Sequence, residues 1–424
     1  MITSRLLAVT CIFAWSLASA SLKADQKPLP TGTWPLERLK AEVPKYRITD
    51  DSGPIHSILY EGEPISGRKT EVFAFYASPQ TLDLPNAPAQ SPAIVLIHGG
   101  GGTAFSDWVW MWAQRGYAAI AMDLSGRQPP PPRYAADGKK ITDYGHKREQ
   151  RKRLQNAGLD HTRIEKFDSI GGSPDDDWPY HAVASVIRAH SLIRSFEEVD
   201  PNRTAVTGIS WGGYTTCLVA SLDDRFKAAV PVYGCGFLHE GESVQKPAID
   251  ALGERRKAWV EAYDPSSHLA KCSTPILWVN GTHDVHYVLD SYAKSYALPN
   301  GPKTLRIEPQ MGHSHPAGWN PKEIGIFVDS ILKDGVSLPV LGSLEMSATG
   351  LVSASVQSQT QITNAQLHYT SEGGRRSKRT WQSLPVTIES NRLIARGLPT
   401  NANTWMMTVI DERGALVSTE VSFR

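Results

Sequence analysis

The sequence predicts an α/β protein, a doubly wound and mostly parallel sheet followed by a C-terminal β-sandwich. Three observations carry this reading. Continuous apolar runs alternate with segments of helical periodicity between residues 93 and 332. Ahead of them, two runs alternate in polarity around a glycine, as a hairpin does. After Pro339 the helical stripes stop and only short alternating runs remain.

In chain order, residues 55–60 and 70–76 form the hairpin, with its turn at Gly67. Residues 93–97, Ala-Ile-Val-Leu-Ile, are apolar on both faces, as a strand covered by helices on each side must be. Residues 108–115 read as a helix and 117–122 as a second buried strand. The helix expected over 177–196 places Ala182, Val183, Val186, Ile187, His190 and Ile193 on one stripe. Ser173 is its expected N-cap and Pro174 its first residue, with Asp175 and Asp176 favoured by the helix dipole. That capping role is preferred to a calcium site for the acidic trio 175–177. A strand at 204–207, a helix at 211–222 and strands at 228–232 and 275–279 follow. A helix at 286–296, a strand at 304–308 and a helix at 322–332 complete the unit. Such alternation requires right-handed crossovers and a parallel sheet covered on both faces. Runs at 352–356, 365–369, 393–395, 405–410 and 416–423, separated by Gly, Asn, Ser and Pro, read as a sandwich of immunoglobulin or fibronectin type III shape.

The expected organisation is a leader at 1–20, a catalytic unit at 21–335 that includes the hairpin, and the sandwich at 336–424. Arg5, the apolar stretch 6–17 and Ala18-Ser19-Ala20 make a cleavable signal, so export to a periplasm or to the medium is expected. No later run is long and apolar enough for a membrane helix. The chain carries 44 Lys and Arg against 43 Asp and Glu, a balance that gives a nucleic-acid or membrane-surface binder no basic footprint. The local basic run Lys147, Arg148, Arg151, Lys152 and Arg153 is read as a solvated helix face. Once the leader is removed, Cys217, Cys235 and Cys272 remain. They are too few for a disulfide framework, and no disulfide is expected.

Three motifs carry chemistry. Gly208-Ile209-Ser210-Trp211-Gly212-Gly213 lies between a strand and a helix and fits the G-x-S-x-G nucleophile elbow. The Rossmann pattern G-x-G-x-x-G does not fit it. His98-Gly99-Gly100-Gly101-Gly102 ends the first central strand. Its backbone N–H groups, Gly100 and Gly101 being the candidates, join that of Trp211 as donors to an oxyanion. A phosphate loop is the alternative, but no Lys-Ser/Thr follows. The third element is a pair, Asp284 after one buried strand and His313 after the next. A serine needs a base to take its proton, and the base needs a carboxylate to fix its tautomer. His315 is the rival base. His283 and His286 beside Asp284 are read as surface or supporting groups, not metal ligands, and neither metal nor cofactor is expected.

On these residues the stretch from about 55 to 335 resembles an α/β-hydrolase, in the branch of dienelactone hydrolases, acetylxylan esterases and prolyl-oligopeptidase-type serine peptidases. The resemblance rests on the His98–Gly102 run, on Gly208 to Tyr214, on Gly281-Thr282-His283-Asp284 and on Gly312-His313. Prolyl-oligopeptidase relatives carry an aspartate three residues after a glycine, which supports Asp284. Two departures matter for the substrate. The large peptidases' N-terminal propeller is missing, and an insertion at 125–178 and a C-terminal sandwich are present. The insertion leaves the carboxyl edge of the sheet, where a lid presenting Tyr134, Tyr144 and Phe167 to the cleft is expected. A second insertion, 237–263, holds a helix near 255–262.

The expectation is a secreted serine esterase acting on a small ester or an acylated carbohydrate. A prolyl-oligopeptidase-type peptidase is the alternative enzyme, and a carbohydrate- or surface-binding protein with a vestigial site is the alternative class. Trp381 and Trp405 of the sandwich serve equally as core anchors or as sugar platforms on sequence alone. The oligomeric state is not set by any feature of the sequence.

Overall fold

In the computed structural model, which describes residues 33–144, 147–160, 170 and 172–424, apolar strands form the centre of one long mixed sheet. A short helix α1 (Leu36–Ala41) precedes β1 (Tyr46–Asp50), β2 (His56–Glu61) and β3 (Glu71–Ala77), which pair antiparallel. β4 (Ser91–Ile97) is buried at every position; α2 (Ser106–Gln114) then crosses to β5 (Ala118–Met122), parallel to β4. α3 (Trp178–Ile193) and β6 (Val199–Ile209) follow, then α4 (Trp211–Leu222) and β7 (Ala228–Val232). Next come α5 (Arg256–Tyr263), β8 (Ile276–Gly281), α6 (Leu289–Tyr296), β9 (Lys303–Glu308), α7 (His315–Trp319) and α8 (Lys322–Leu332).

The strand order is β1-β2-β3-β5-β4-β6-β7-β8-β9, parallel from β5 onward. From β4 the chain winds outward to β5, then returns to place β6 on β4's other side. The winding therefore reverses between β4 and β6, and at such a point open α/β sheets leave a crevice beyond their carboxyl ends. The glycine run leaves β4 there and Ser210 leaves β6.

The C-terminal strands are wholly antiparallel: β10 (Val352–Gln357), β11 (Ile362–Thr370), β12 (Gln382–Glu389), β13 (Arg392–Ala395), β14 (Thr404–Asp411) and β15 (Leu416–Ser418). β15 pairs with β9 at Leu305 and Ser418, so the sheet continues through β14 and β11 into the first half of β12. The second half of β12 turns to β13, which pairs with β10. Trp381 and Trp405 are buried among these strands, which makes them anchors and not exposed sugar platforms. Two hydrogen bonds from the C-terminal strands, at Leu416 and Val421, tie them to the unit before them, and an ion pair with Arg306 fixes the first acceptor. Buried Glu323 on α8 accepts from Arg306 Nε at 3.0 Å and from Leu416 N at 2.6 Å, and Tyr296 Oη accepts from Val421 N at 3.0 Å.

Several expectations change. The basic run is no solvated helix face: Arg148–Gln150 is a single 3₁₀ turn, Lys152–Arg153 pairs with Arg127–Gln128, and Arg151 is buried. Ser173 caps a separate 3₁₀ turn, Pro174–Asp176, while α3 starts beyond it at Trp178. The helix expected from 286 begins at Leu289, because the Asp284 carboxylate takes the amides of His286 and Tyr287 and holds both out of it. The run at 416–423 breaks after Ser418. Tyr134 does not face the cleft, since its hydroxyl accepts from Ile55 N at 3.2 Å and its ring meets Trp110. Tyr144 lies flat on Trp319 instead. Phe167 and the leader lie outside the described residues. Cys217, Cys235 and Cys272 are all buried and free. No helix among the described residues is long and apolar enough to cross a membrane.

Candidate active site

Ser210 sits between β6 and α4 at φ 61° and ψ −117°, a conformation that costs a non-glycine residue on the order of 1–3 kcal/mol. Its surroundings over-determine it. Ser210 N donates to Val232 O at 2.9 Å and Tyr214 N donates to Ser210 O at 2.8 Å. The flanking glycines are required by space: a Cβ at Gly208 would stand 2.3 Å from Gly212 O, and one at Gly212 would stand 2.0 Å from Ile97 O. The sharp turn leaves the Ser210 hydroxyl at the sheet's carboxyl edge.

His313 and Asp284 meet it there. Ser210 Oγ lies 2.9 Å from His313 Nε2, and His313 Nδ1 lies 2.8 Å from Asp284 Oδ2. A carboxylate only accepts, so Nδ1 carries the proton and Nε2 is left as the acceptor facing the serine hydroxyl. Asp284 is itself fixed, for its Oδ1 accepts from His286 N at 2.7 Å and Tyr287 N at 2.9 Å. The imidazole is packed on three sides, by Tyr233 at 4.4 Å, His286 at 4.7 Å and Tyr287 at 6.0 Å between ring centres. Burial pushes the Tyr233 hydroxyl up to about 12, so it stays neutral beside the imidazole.

The glycine loop faces the serine across the switch point. A Cβ at Gly99 would stand 2.9 Å from Ser210 Cβ, and one at Gly100 would stand 3.0 Å from Trp211 Cδ1. Gly100 therefore lies against Trp211. Gly101, at φ 76°, is at the open turn of the loop with nothing near its Cβ position. The Cβ direction of Gly100 thus points at the elbow and that of Gly101 into open space.

His315 does not approach as a base. Its Nε2 accepts from Gly99 N at 3.1 Å, and burial, with the charges of His98, His313 and Arg151, pushes its pKa down to about 3. Sequence reasoning missed this contact, as it missed Arg151, which donates to Gly101 O at 2.9 Å and Gly102 O at 2.6 Å. The signal available was slight, a second histidine two places after the first and one basic residue in a run of five. The two insertions meet behind the elbow, where Tyr263 Oη donates to Asp177 Oδ2 at 2.6 Å and Tyr214 Oη donates to Tyr263 O at 2.5 Å. Trp178 stands edge-on to Trp211 at 5.7 Å. His283 turns away from the serine, its Nε2 lying 3.1 Å from Arg379 O of the C-terminal strands. Among the described residues no three His, Cys, Asp or Glu side chains are placed to hold a metal ion.

Residues 60–243 match the family model of acetyl xylan esterase (AXE1), a span that includes the glycine loop and Ser210. Residues 172–323 match that of the prolyl oligopeptidase family, a span that includes Ser210, Asp284 and His313. Among solved structures, the acetyl xylan esterase of Paenibacillus sp. R4 is 19% identical with a TM-score of 0.51, covering 70% of this chain and 92% of that one. Acetyl xylan esterase 1 of Thermoanaerobacterium sp. JW/SL YS485 is 15% identical with a TM-score of 0.52, covering 69% of this chain and 90% of that one. At such identities the likeness is one of fold. The strand order, the three loops at the strands' carboxyl ends and these likenesses together give this chain the α/β-hydrolase fold.

Proposed function

We propose that the chain is an exported serine esterase that removes small acyl groups, acetyl above all, from a carbohydrate. The observation that carries the reading is the Ser210, His313 and Asp284 relay, with contacts of 2.9 and 2.8 Å on a strained elbow. Ser210 Oγ attacks the ester carbonyl carbon while its proton passes to His313 Nε2. The carbonyl oxygen gains the negative charge, and the N–H groups of Gly100 and Trp211 receive it without reorganising. As the tetrahedral intermediate collapses, the carbon–oxygen bond to the alcohol breaks and His313 returns the proton to the leaving alkoxide. Water then gives its proton to His313 and attacks the acyl-serine, releasing the acid and restoring the hydroxyl. Asp284 holds the tautomer and balances the imidazolium in both halves.

The acetyl substrate is supported by the family match over the glycine loop and the elbow. A peptidase is the second reading, supported by the match to the prolyl oligopeptidase family over all three residues of the relay. The same reading keeps the leader at 1–20, the catalytic unit at 21–335 and a β-sandwich at 336–424, the last supported by the turn of β12 from one set of strands to the other. A fluorophosphonate should label the parent at one serine, and Ser210→Ala should neither label nor hydrolyse p-nitrophenyl acetate. Parallel assays on acetylated xylan and an aminoacyl-naphthylamide separate the two enzyme readings, since turnover of the amide alone overturns the esterase.

A further inference from the structure

Four consecutive glycines have no side chains with which to hold themselves in place, so the loop's conformation must be imposed from outside. The structure shows how. Gly102 N donates to Gly99 O at 3.0 Å, closing the turn. His98 accepts from Leu124 N at 2.8 Å through Nε2, so its Nδ1 carries the proton and donates to Gly99 O at 2.7 Å. Those contacts are local. The other two come from distant segments: Gly99 N donates to His315 Nε2 on α7, and Arg151 of the 125–178 insertion donates to Gly101 O and Gly102 O.

Together these contacts hold the peptide that carries the Gly100 amide, through Gly99 O, and the peptides that precede Gly99 and follow Gly101 and Gly102. Gly100's own amide is left without an acceptor among the described residues, beside Trp211. His315 suits its task because only a neutral imidazole accepts at Nε2, and its burial keeps it neutral. Its ring is seated against Phe105 at 5.2 Å, and Phe105 against Trp319 at the same distance. Arg151 is itself buried, and its guanidinium presents fixed donors that span two adjacent carbonyls.

We infer that His315 and Arg151 are positioning residues for the oxyanion, acting through the glycine loop to aim the Gly100 amide at the carbonyl that Ser210 attacks. This rests on the reading of Ser210 as nucleophile and of the glycine loop as its oxyanion site. Through Arg151 the 125–178 insertion then contributes to aiming the oxyanion donor. An oxyanion donor acts in the transition state, so its misplacement lowers kcat and leaves KM nearly unchanged.

The test compares His315→Leu, which fills the space without an acceptor, with His315→Gln, which offers a side-chain oxygen. Arg151→Ala, Arg151→Lys and Ser210→Ala complete the set. Each is assayed with p-nitrophenyl acetate and by the rate of fluorophosphonate labelling. Expected are kcat and labelling rates roughly 10- to 100-fold lower in His315→Leu and Arg151→Ala, with KM within about twofold, and substantial recovery in His315→Gln and Arg151→Lys. Equal kcat in His315→Leu and His315→Gln, or a loss confined to KM, overturns the inference. If His315→Leu does not fold, the Arg151 pair decides by the same criteria. Labelling that survives in Ser210→Ala instead defeats the underlying reading of the nucleophile, a result separable from any outcome at His315.

Discussion

Replacing Asp284 by asparagine changes one atom and reverses a tautomer. The carboxylate makes three contacts, accepting at Oδ1 from His286 N and Tyr287 N and at Oδ2 from the His313 Nδ1 proton. Asparagine keeps an oxygen for the two backbone amides and therefore turns its NH₂ toward His313. An NH₂ group donates, so Nδ1 must become the acceptor and the ring proton moves to Nε2, 2.9 Å from Ser210 Oγ. A protonated Nε2 takes no proton from the serine. Loss of the base, with its transition-state charge no longer balanced, is worth a factor of ~10⁴ in kcat in serine enzymes built on this relay. At 1.36 kcal/mol per decade that is roughly 5 kcal/mol of barrier. The fold should be undisturbed, because volume and both backbone bonds are preserved. The assay is steady-state p-nitrophenyl acetate hydrolysis beside circular dichroism and urea unfolding of Asp284→Asn. A folded variant within tenfold of the parent kcat would show that Asp284 is not the carboxylate on which the histidine depends, and the relay would have to be abandoned.

Three further outcomes are expected. Gly212→Ala forces a Cβ to within 2.0 Å of Ile97 O, a backbone atom that cannot yield, so unfolding in urea should show a loss of about 3 kcal/mol together with lost labelling. Glu323→Ala takes from the buried Arg306 guanidinium one of its two carboxylates, Glu308 remaining at 2.9 Å, and leaves the Leu416 amide without its acceptor, so it should cost about 2 kcal/mol, read as a lowered urea midpoint; an unchanged midpoint would mean the C-terminal strands are not held by this contact. Burial pushes His190 down to about 4 and His368 likewise, both below the unfolded value near 6.5. As pH falls through 6.5 the unfolded chain takes up these protons first, so stability should decline between about pH 6.5 and 4, the fully buried His190 alone contributing on the order of 3 kcal/mol. Unfolding free energies that stay level from pH 7 to 4.5 would contradict this.

The central strands and the elbow were legible because each is fixed by local rules. A run apolar on both faces has only the middle of a covered sheet to occupy, and β7, α4 and α8 fall where the pattern sets them. Gly208 and Gly212 are readable for the same reason, since the turn tolerates nothing larger. What the sequence concealed depends on distant partners. α7 is five residues long and carries no stripe, and its position is set by Gly318 packing against Ile209 and Tyr233. Arg151 looked like one charge in a solvated run because its acceptors, two glycine carbonyls, lie 50 and 49 positions away. The β9–β15 pairing was hidden likewise, for an edge strand does not announce which later segment will cover it.

The accessory segments divide their work by loop. The elbow is rigid on its own account, held by Val232 and Tyr214 and walled by backbone. The other two loops of the site are not, and each is gripped from outside the central sheet. The 125–178 insertion reaches the glycine loop through Arg151. The C-terminal strands reach the Asp284 loop, where Arg379 O meets His283 and Arg376 pairs with Asp290 at 3.5 Å. On the proposed mechanism, a nucleophile fixed by short-range geometry tolerates changes elsewhere, whereas donor and carboxylate must be held within a fraction of an ångström relative to it. Changes in the accessory segments should therefore appear in kcat before they appear at Ser210 itself. A variant such as Arg376→Ala should slow turnover while leaving the elbow's φ and the labelled residue as they are.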